Sequence, residues 1–266
     1  MNFKLLCSDL DGTLLSTKSD VSDFTISQVS RIKERLNVIL VSARMPQSMT
    51  YIQERLGIEK QPIICYNGAL ICDGAKETFS ETISFEALEK VHTLSEKLHI
   101  QLGLYNQREW YVEMTSERVQ KEIKYTRASP VFRPTSETLT DWKSRNVSAH
   151  KIMLMGTKLS ADTIFPQLMK DLSEEMNIYR SNDTLIELAP KNVSKLSAIQ
   201  ALLGPNERMI DVISFGDNYN DMEMLEHSGL GVAVENAREE VKALADAVTL
   251  RNTEDGVAHY IKQHLI

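Results

Sequence analysis

The sequence predicts an α/β protein with a doubly wound parallel-sheet core and an inserted α+β domain. Short apolar or β-branched runs alternate with segments of helical periodicity up to about residue 82. The same alternation resumes near residue 193 and continues to the end of the chain. Between these halves the pattern changes to hairpins mixed with helices. We therefore assign residues 1–82 and 187–266 to the core, and residues 83–186 to the insertion.

The first half supplies three predicted strands separated by two helices. Residues 3–8 form a short apolar strand, and Ser22 or Asp23 can cap the helix that follows it. Residues 37–44 form a β-branched strand, and Pro46 suits the first turn of the next helix. The run PIICYNGALI, residues 62–71, is predicted to be the third strand. Strands and helices joined by short connections are typical of a parallel sheet with helices on its faces.

The insertion begins with a helix that Ser84 caps. Residues 102–114 are predicted to form two antiparallel strands around a turn near Asn106–Arg108. Residues 177–188 are predicted to form a second hairpin, with its turn at Ser181–Asp183. The remaining predictions are helices over 115–125 and 161–176, the second containing Pro166, and a strand over 150–156.

The last part of the chain again alternates helices and strands. Ser194 can cap a helix, and the strand 209–215 is followed by GDNYND, which opens another helix. Asn236 is predicted to cap the helix after the strand 229–234. A final strand, 247–250, and a final helix, 255–265, complete the chain.

Composition and charge exclude several classes of protein. The formal charge of −7, from 30 basic and 37 acidic residues, argues against general nucleic-acid or anionic-membrane binding. No apolar run is long enough to span a bilayer, and two aspartates by position 11 interrupt any secretion signal. Three cysteines without a CxxC spacing, Cys7, Cys65 and Cys72, are typical of buried strand residues in a reducing compartment. We therefore expect a cytoplasmic protein that is a monomer or a weak homo-oligomer.

Polar residues follow two apolar strands of the first half, where open parallel sheets bind ligands. Asp9 and Asp11 come directly after the first strand and point the same way on an extended chain. Their repulsion is relieved by a bound cation, and oxygen ligands favour Mg²⁺. Ser42, Ala43 and Arg44 end the second strand, where a hydroxyl and backbone N–H groups can hold a phosphate oxygen. Each signal has an ordinary explanation too, as a solvated acidic turn or a helix cap.

Two further polar features lie in the second half of the core. Lys195 stands in the first turn of its helix, a position that the helix dipole mildly disfavours for a cation. Residues 216–221, GDNYND, place acidic and amide side chains directly after a strand. A helix cap explains one of these oxygens, whereas binding of a hard cation explains the set.

The order and placement of these motifs resemble those of the haloacid dehalogenase superfamily, in particular its Cof-type hydrolases. The resemblance rests on DLDGT, on the serine that ends the second strand, on Lys195 and on GDNYND, with YNGALI and RNTEDGVAHYI as supporting runs. It implies a Rossmann-like core with a cap domain inserted between the second and third motifs. It also implies a Mg²⁺-dependent phosphatase that acts on small phosphorylated metabolites such as sugar phosphates.

The resemblance assigns a role to each motif residue. Asp9 is expected to attack phosphorus and form an aspartyl-phosphate, and Asp11 to act as general acid and then general base. Mg²⁺ is expected between Asp9, the backbone carbonyl of Asp11, and Asp217. The resemblance assigns phosphate binding to Leu10 and Ala43 through their N–H groups and to the side chains listed next: Ser42, Lys195 and Asn220. Asp221 is expected to support Lys195 or the metal's waters, and Arg44 to be a structural partner. Asn67, which follows a strand and precedes Gly68, is a candidate either for substrate contact or for a turn role.

Three other functions use part of the same constellation. A phosphomutase shares every motif and differs only in where the phosphoryl group goes. A phospho-receiver domain also uses acidic residues, Mg²⁺ and a lysine, but it is shorter and leaves Asp11 without a role. A glycosyltransferase with Asp9 and Asp11 as its DxD leaves Lys195 and GDNYND unused.

Two positions depart from the family pattern: Ala43 replaces a usual glycine, and Glu235 replaces a usual small residue.

Overall fold

The structure is a computed structural model of the chain, and it describes residues 3–16 and 20–266. The chain divides into two compact units. The first contains Met1–Phe79 and Ser194–Ile266, and the second contains Ser80–Val193. The second unit is thus inserted in the sequence of the first.

The described residues form fourteen strands and ten α-helices, numbered in chain order. The strands are β1 Leu5–Ser8, β2 Asn37–Val41, β3 Ile63–Cys65, β4 Leu70–Asp73, β5 Lys76–Ser80, β6 Gln101–Asn106, β7 Glu109–Val112, β8 Val131–Phe132, β9 Lys151–Met155, β10 Met176–Asn182, β11 Leu185–Pro190, β12 Val212–Gly216, β13 Leu230–Val234 and β14 Ala247–Thr249. The helices are α1 Asp23–Ile32, α2 Gln47–Leu56, α3 Phe85–Lys97, α4 Glu117–Thr126, α5 Thr135–Arg145, α6 Lys158–Leu172, α7 Lys195–Leu202, α8 Met222–His227, α9 Glu239–Leu244 and α10 Gly256–His264.

The first unit is built on an eight-stranded sheet in the order β14-β13-β12-β1-β2-β3-β4-β5. The strands from β14 to β3 are parallel to their neighbours, and β4 is antiparallel to β3. Strand β1 lies in the middle, with β2 on one side and β12 on the other. The chain therefore winds outward in both directions from β1, and the carboxyl ends of β1 and β12 form a topological switch point.

Helices cover both faces of this sheet, and its central strands β1 and β12 are therefore buried throughout. On one face, apolar side chains of β1 to β4 pack against Ile199 of α7 and Met224 of α8. On the other face, the ring of Phe215 lies 5.6 Å from the ring of Tyr260 in α10. Helix α1 contacts α10 and α2.

The second unit is built on a six-stranded sheet in the order β10-β11-β9-β6-β7-β8. Its neighbouring strands are antiparallel except β7 and β8. Helices α3, α5 and α6 pack against this sheet and share a core with it, in which Trp142 is fully buried. Helix α6 runs through Pro166, as predicted.

The two sheets confirm the predicted fold class, a parallel α/β core with an inserted α+β domain. The caps predicted at Ser22, Ser84 and Ser194 are confirmed, because each side chain accepts a hydrogen bond from a backbone N–H three residues later. The three cysteines are buried on strands, as expected.

Other details differ from the prediction. The run 62–71 is not one strand, because Tyr66 and Asn67 adopt φ of 53° and 55° and break it into β3 and β4. Asn236 does not cap α9, which begins after Arg238, because the Asn236 amide instead contacts the backbone near Gly12. The second hairpin turns after Asn182, slightly later than predicted.

The boundaries of the units also lie beyond the predicted insertion, 83–186. Strand β11 continues past residue 186 to Pro190 and pairs with β10 along its length. The second unit accordingly ends at Val193. No helix among residues 3–16 and 20–266 has the length and apolar character of a membrane span.

Candidate active site

The switch point places two motif aspartates side by side. Asp9 follows β1, and its backbone N–H donates to the Phe215 carbonyl of β12 at 3.0 Å. Asp217 follows β12 directly. Because β1 and β12 are parallel neighbours, their carboxyl ends bring the first and fourth motifs together. Asp9 is only 6% exposed, so its carboxylate lies in a buried pocket.

Lys195, the residue of the third motif, contacts the first and fourth motifs. Ser194 caps α7 in a reciprocal arrangement with Ser197, which fixes the first turn of the helix. The Lys195 Nζ donates to Asp9 Oδ1 and to Asp221 Oδ1, each at 2.6 Å. The lysine side chain is 0% exposed. The cation is therefore fixed between two carboxylates and is not a solvated surface residue.

Asp221 has both carboxylate oxygens occupied. Its Oδ1 accepts from Lys195, and its Oδ2 accepts from the backbone N–H groups of Asp217 and Asn218 at 2.9 and 3.0 Å. These bonds fold the GDNYND segment into a tight turn and leave Asp221 as an anchor for Lys195. These three bonds favour a role for Asp221 in support of Lys195 and the turn.

The loop after Asp9 approaches Asp217 closely at Gly12. Gly12 has a φ of +91°, and a Cβ there would lie 2.6 Å from Asp217 Oδ2. The next residue, Thr13, donates its hydroxyl to Asp217 Oδ1 at 2.7 Å. Only glycine suits this backbone conformation and this spacing. The DLDGT motif thus shapes the site through Gly12 and Thr13 as well as through its aspartates.

The cluster carries more negative than positive charge. Asp9, Asp217 and Asp221 offer carboxylate oxygens that all lie within 4.8 Å of one another, with Lys195 as the cation in contact. Burial raises the pKa of Asp9 well above its ordinary value, with Asp221 and Asp217 adding to the rise and Lys195 opposing it. Burial and the neighbouring Asp221 raise the pKa of Asp217 to about 6. Burial opposes the charge of Lys195, yet the two carboxylates raise its pKa above the ordinary value.

This donor set fits a divalent cation. Three carboxylates and one ammonium leave two negative charges in excess. The oxygens of Asp9 and Asp217 not taken by Lys195 or Thr13 are hard donors of the kind that Mg²⁺ prefers. The Asp11 side chain lies outside this group, so only its backbone carbonyl is a candidate ligand.

The Asp11 side chain turns toward Arg44 at the end of β2. Its Oδ2 and Oδ1 accept from Arg44 Nε and Nη2, each at 2.7 Å, in a bidentate ion pair. Arg44 is buried and also donates to the Ser48 carbonyl and to Tyr51. The Asp11 side chain is 48% exposed, so this carboxylate is held on its buried side and open to solvent on the other.

Hydrogen bonds join the second motif, at Ser42 and Arg44, to the turn Tyr66–Gly68. The Ser42 hydroxyl accepts from the Arg44 N–H at 3.2 Å, and the Ser42 carbonyl accepts from the Asn67 N–H at 2.9 Å. Asn67 Oδ1 in turn accepts from Asn220 Nδ2 at 3.0 Å, which links this turn to the fourth motif. Ala43 is not among the described residues with positive φ, so the usual glycine is not required there.

The comparisons agree with this geometry. A family model described as haloacid dehalogenase-like hydrolase matches residues 6–261. The chain belongs to this family. Phosphatase YwpJ of Bacillus subtilis (strain 168) is 29% identical over 99% of this chain and 100% of its own. A pyridoxal phosphate phosphatase of Escherichia coli (strain K12) is 28% identical over 100% of both chains. The crystal structure of a haloacid dehalogenase-like hydrolase from Bacteroides thetaiotaomicron covers 98% of this chain and 99% of its own, with 28% identity and a TM-score of 0.89.

Family membership and these relatives make the protein a hydrolase of the phosphatase type and confirm the predicted resemblance. The structure brings Asp9, Asp217, Asp221 and Lys195 into one buried cluster. The described hydrogen bonds of Ser42, by contrast, are with Arg44, Asn67 and Ile64. Leu10 is fully buried, so its side chain belongs to the core.

Sequence reasoning missed one contributor to this haloacid dehalogenase-like site and the partner of another. Thr13 belongs to DLDGT but received no role, although a hydroxyl four residues after Asp9 could have suggested one. Arg44 was predicted only to be a structural partner, and its pairing with Asp11 had no signal in spacing, because the two residues are 33 positions apart.

The raised pKa of Asp217 predicts how stability depends on pH without metal. The folded state disfavours the charged form, so the penalty is full above about pH 6 and is lost gradually as pH falls from there to the ordinary aspartate value of 3.8. Asp217→Asn should therefore be more stable than wild type by about 1–2 kcal/mol at about pH 7.5, and by about half as much near pH 5. Urea unfolding in chelator at both pH values measures this difference.

The stability of wild type must be compared with that of Asp217→Asn, because His150 changes stability with pH in the direction opposite to Asp217. Burial lowers the pKa of His150 to about 4, so the folded state loses stability relative to the unfolded state as pH falls below the ordinary histidine value. This effect is common to both proteins and cancels in their difference. An Asp217→Asn protein that is less stable than wild type at the higher pH would contradict the assigned charge penalty.

Proposed function

We propose that the protein hydrolyses small phosphate monoesters, sugar phosphates or related metabolites, through an aspartyl-phosphate on Asp9 and with Mg²⁺. The observation that carries the proposal is the buried cluster of three carboxylates and one lysine at the switch point. The family and the phosphatase relatives support the reaction class.

Asp9 is the proposed nucleophile. Lys195 orients the carboxylate through its Oδ1, so that one oxygen can face the cation while the other approaches phosphorus. The bond to the leaving oxygen breaks as the Asp9–phosphorus bond forms, and water then cleaves the aspartyl-phosphate to release phosphate and regenerate Asp9. A buried carboxylate fixed by a lysine keeps one orientation throughout both steps.

Mg²⁺ held by Asp9, the Asp11 carbonyl and Asp217 supplies the positive charge that lets an anionic carboxylate meet an anionic phosphate. The residues around it preorganise that arrangement. Thr13 orients Asp217 through one carboxylate oxygen, and Asp221 orients Lys195.

Asp11 is the proposed acid and base. It protonates the leaving oxygen in the first step and takes a proton from water in the second. In the structure Arg44 donates to both of its oxygens. Proton transfer therefore requires one of these two bonds to yield to substrate or water, while the other keeps Asp11 oriented.

The transferring phosphoryl oxygens are proposed to contact the N–H groups of Leu10 and Ala43, together with the side chains of Ser42, Lys195 and Asn220. The Asn67–Asn220 bond supports the placement of Asn220, and the Asn67 amide nitrogen is left to contact substrate. The residues outside this set, in the predicted cap 83–186, are proposed to recognise the leaving group. That one relative is named for pyridoxal phosphate favours phosphorylated small molecules as the substrate class.

The test is phosphate release from a panel of phosphorylated sugars, nucleotides and cofactors in chelator, Mg²⁺ or Ca²⁺. We expect no activity in excess chelator, recovery with Mg²⁺, and poor replacement by Ca²⁺, which takes more ligands at longer distances of about 2.3–2.6 Å. Free phosphate should accumulate in equal amount to the dephosphorylated product, which separates hydrolysis from transfer within the substrate. Full activity in excess chelator would exclude the metal assignment.

A further inference from the structure

Two asparagines outside the four motifs contact the loop that carries the site. Asn236 lies after β13, and Asn252 begins a short 3-10 turn after β14. Asn236 Nδ2 donates to the Gly12 carbonyl at 2.8 Å, and Asn236 Oδ1 accepts from the Asn252 N–H at 2.8 Å. Asn252 Nδ2 donates to the Leu15 carbonyl at 2.8 Å. Both ends of the Asn236 amide are therefore used.

These contacts act on an irregular piece of backbone. Residues Leu10–Leu14 form a single distorted turn, with non-helical angles at Asp11 and Gly12. Two carbonyls of this segment and its end, those of Gly12 and Leu15, are each bound by an asparagine amide. The conformation of this segment, residues 9–15, which we call the Asp9 loop, thus depends on side chains contributed by the C-terminal part of the first unit.

The loop that carries Asn236 also contacts the fourth motif. The Arg238 N–H donates to the Asp217 carbonyl at 3.0 Å. The loop from 235 to 238 is therefore bonded to Gly12 through Asn236 and to Asp217 through Arg238. At this point Gly12 approaches the Asp217 carboxylate so closely that a Cβ has no room. This bridge therefore links the Asp9 loop to Asp217, in addition to the direct bond between Thr13 and Asp217.

We infer that Asn236, supported by Asn252, is a positioning residue that sets the distance between the Asp9 loop and Asp217 for cation binding. The inference rests on the proposed function, because it takes these two elements as the metal site. Asparagine suits the role because its amide donates at one end and accepts at the other. Alanine can do neither. Residues that orient metal ligands from outside typically contribute about 10–100-fold to metal affinity.

The experiment measures Mn²⁺ binding to the full-length protein by titration calorimetry, without substrate. Asn236→Ala is compared with wild type and with Gln53→Ala. Gln53 is a matched control: it is a buried amide of the same unit, and its Nε2 donates to the Gln61 carbonyl at 2.7 Å. It lies on α2 and contacts none of the motif residues in its described bonds. Thermal unfolding of each protein separates loss of stability from loss of metal affinity.

We expect Asn236→Ala to weaken Mn²⁺ binding by about 10-fold or more, and Gln53→Ala to leave it within about twofold of wild type, even where both lose similar stability. Excess Mn²⁺ should restore most of the kcat of Asn236→Ala. Asn252→Ala should weaken Mn²⁺ binding in the same direction by a smaller factor, and it decides the question if Asn236→Ala does not fold.

Unchanged Mn²⁺ affinity in a folded asparagine variant, or equal weakening in Gln53→Ala, would overturn the inference. Either result leaves the proposed function standing as long as wild type binds Mn²⁺ and releases phosphate. Failure of wild type to bind Mn²⁺ at all would overturn both the inference and the metal-dependent mechanism.

Discussion

Asp9→Asn is expected to lower kcat by about 10⁴-fold or more while leaving the protein folded. The amide cannot form a stable bond to phosphorus and is a weaker metal ligand than the carboxylate. Lys195 keeps its 2.6 Å contact with Asp221 in the variant. The change also removes a charge that burial disfavours at this position, so stability should be equal or higher.

The measurement is steady-state phosphate release with saturating Mg²⁺, accompanied by thermal unfolding. Asp73→Asn is the matched control, because Asp73 is the exposed last residue of β4 in the same unit. It should keep wild-type activity. Retention of about a tenth of wild-type kcat by a well-folded Asp9→Asn protein would contradict the role of Asp9, because a nucleophile has no substitute in the site.

Lys195→Met is expected to abolish activity and to cost about 3–5 kcal/mol of stability, which is typical when one partner of a buried ion pair is removed. The variant leaves Asp9 and Asp221 without the ammonium that each contacts at 2.6 Å. The loss should shrink as pH falls, because protonated carboxyls no longer need a cation. Added Mg²⁺ should recover part of it through the remaining carboxylates.

Urea unfolding at several pH values measures this effect, and Lys60→Met, a change at an exposed lysine of the same unit, is the control. Surface substitutions of this kind usually change stability by less than about 0.5 kcal/mol. A loss below about 1 kcal/mol in Lys195→Met would mean that the buried cluster is not held together by this lysine, whatever its effect on turnover.

The sequence was sufficient to predict the parallel core and the residues that end its strands. Apolar runs such as residues 3–8 identify buried strands, and parallel strands must end on one edge of the sheet. The pattern could therefore place Asp9 and Asp217 at the same edge of the sheet, and the family resemblance implied that they share a metal site. Helix caps were equally clear, since Ser22, Ser84 and Ser194 stand immediately before helical periodicity.

Features that depend on tertiary packing were not predictable in the same way. Tyr66 and Asn67 break the run 62–71 with positive φ. The Asn67–Gly68 pair is a turn signal, but the residue type of Tyr66 does not signal its positive φ. The reason lies in a distant segment: a Cβ at Gly68 would lie 2.3 Å from the Ser194 carbonyl, so the turn is shaped to pack against the start of α7. The prediction that Asn236 caps a helix was wrong for a similar reason. Its partners, Gly12 and Asn252, are remote in sequence and leave no local signal.

The stereochemical course at phosphorus tests the central claim, covalent catalysis by Asp9, most directly. A phosphate monoester made chiral at phosphorus with oxygen isotopes is hydrolysed by the wild-type protein, and the configuration of the released phosphate is determined. Attack by Asp9 followed by attack of water consists of two in-line displacements, each of which inverts phosphorus. The account predicts net retention of configuration, even where the aspartyl-phosphate never accumulates. Net inversion would show a single direct attack by water and would contradict it.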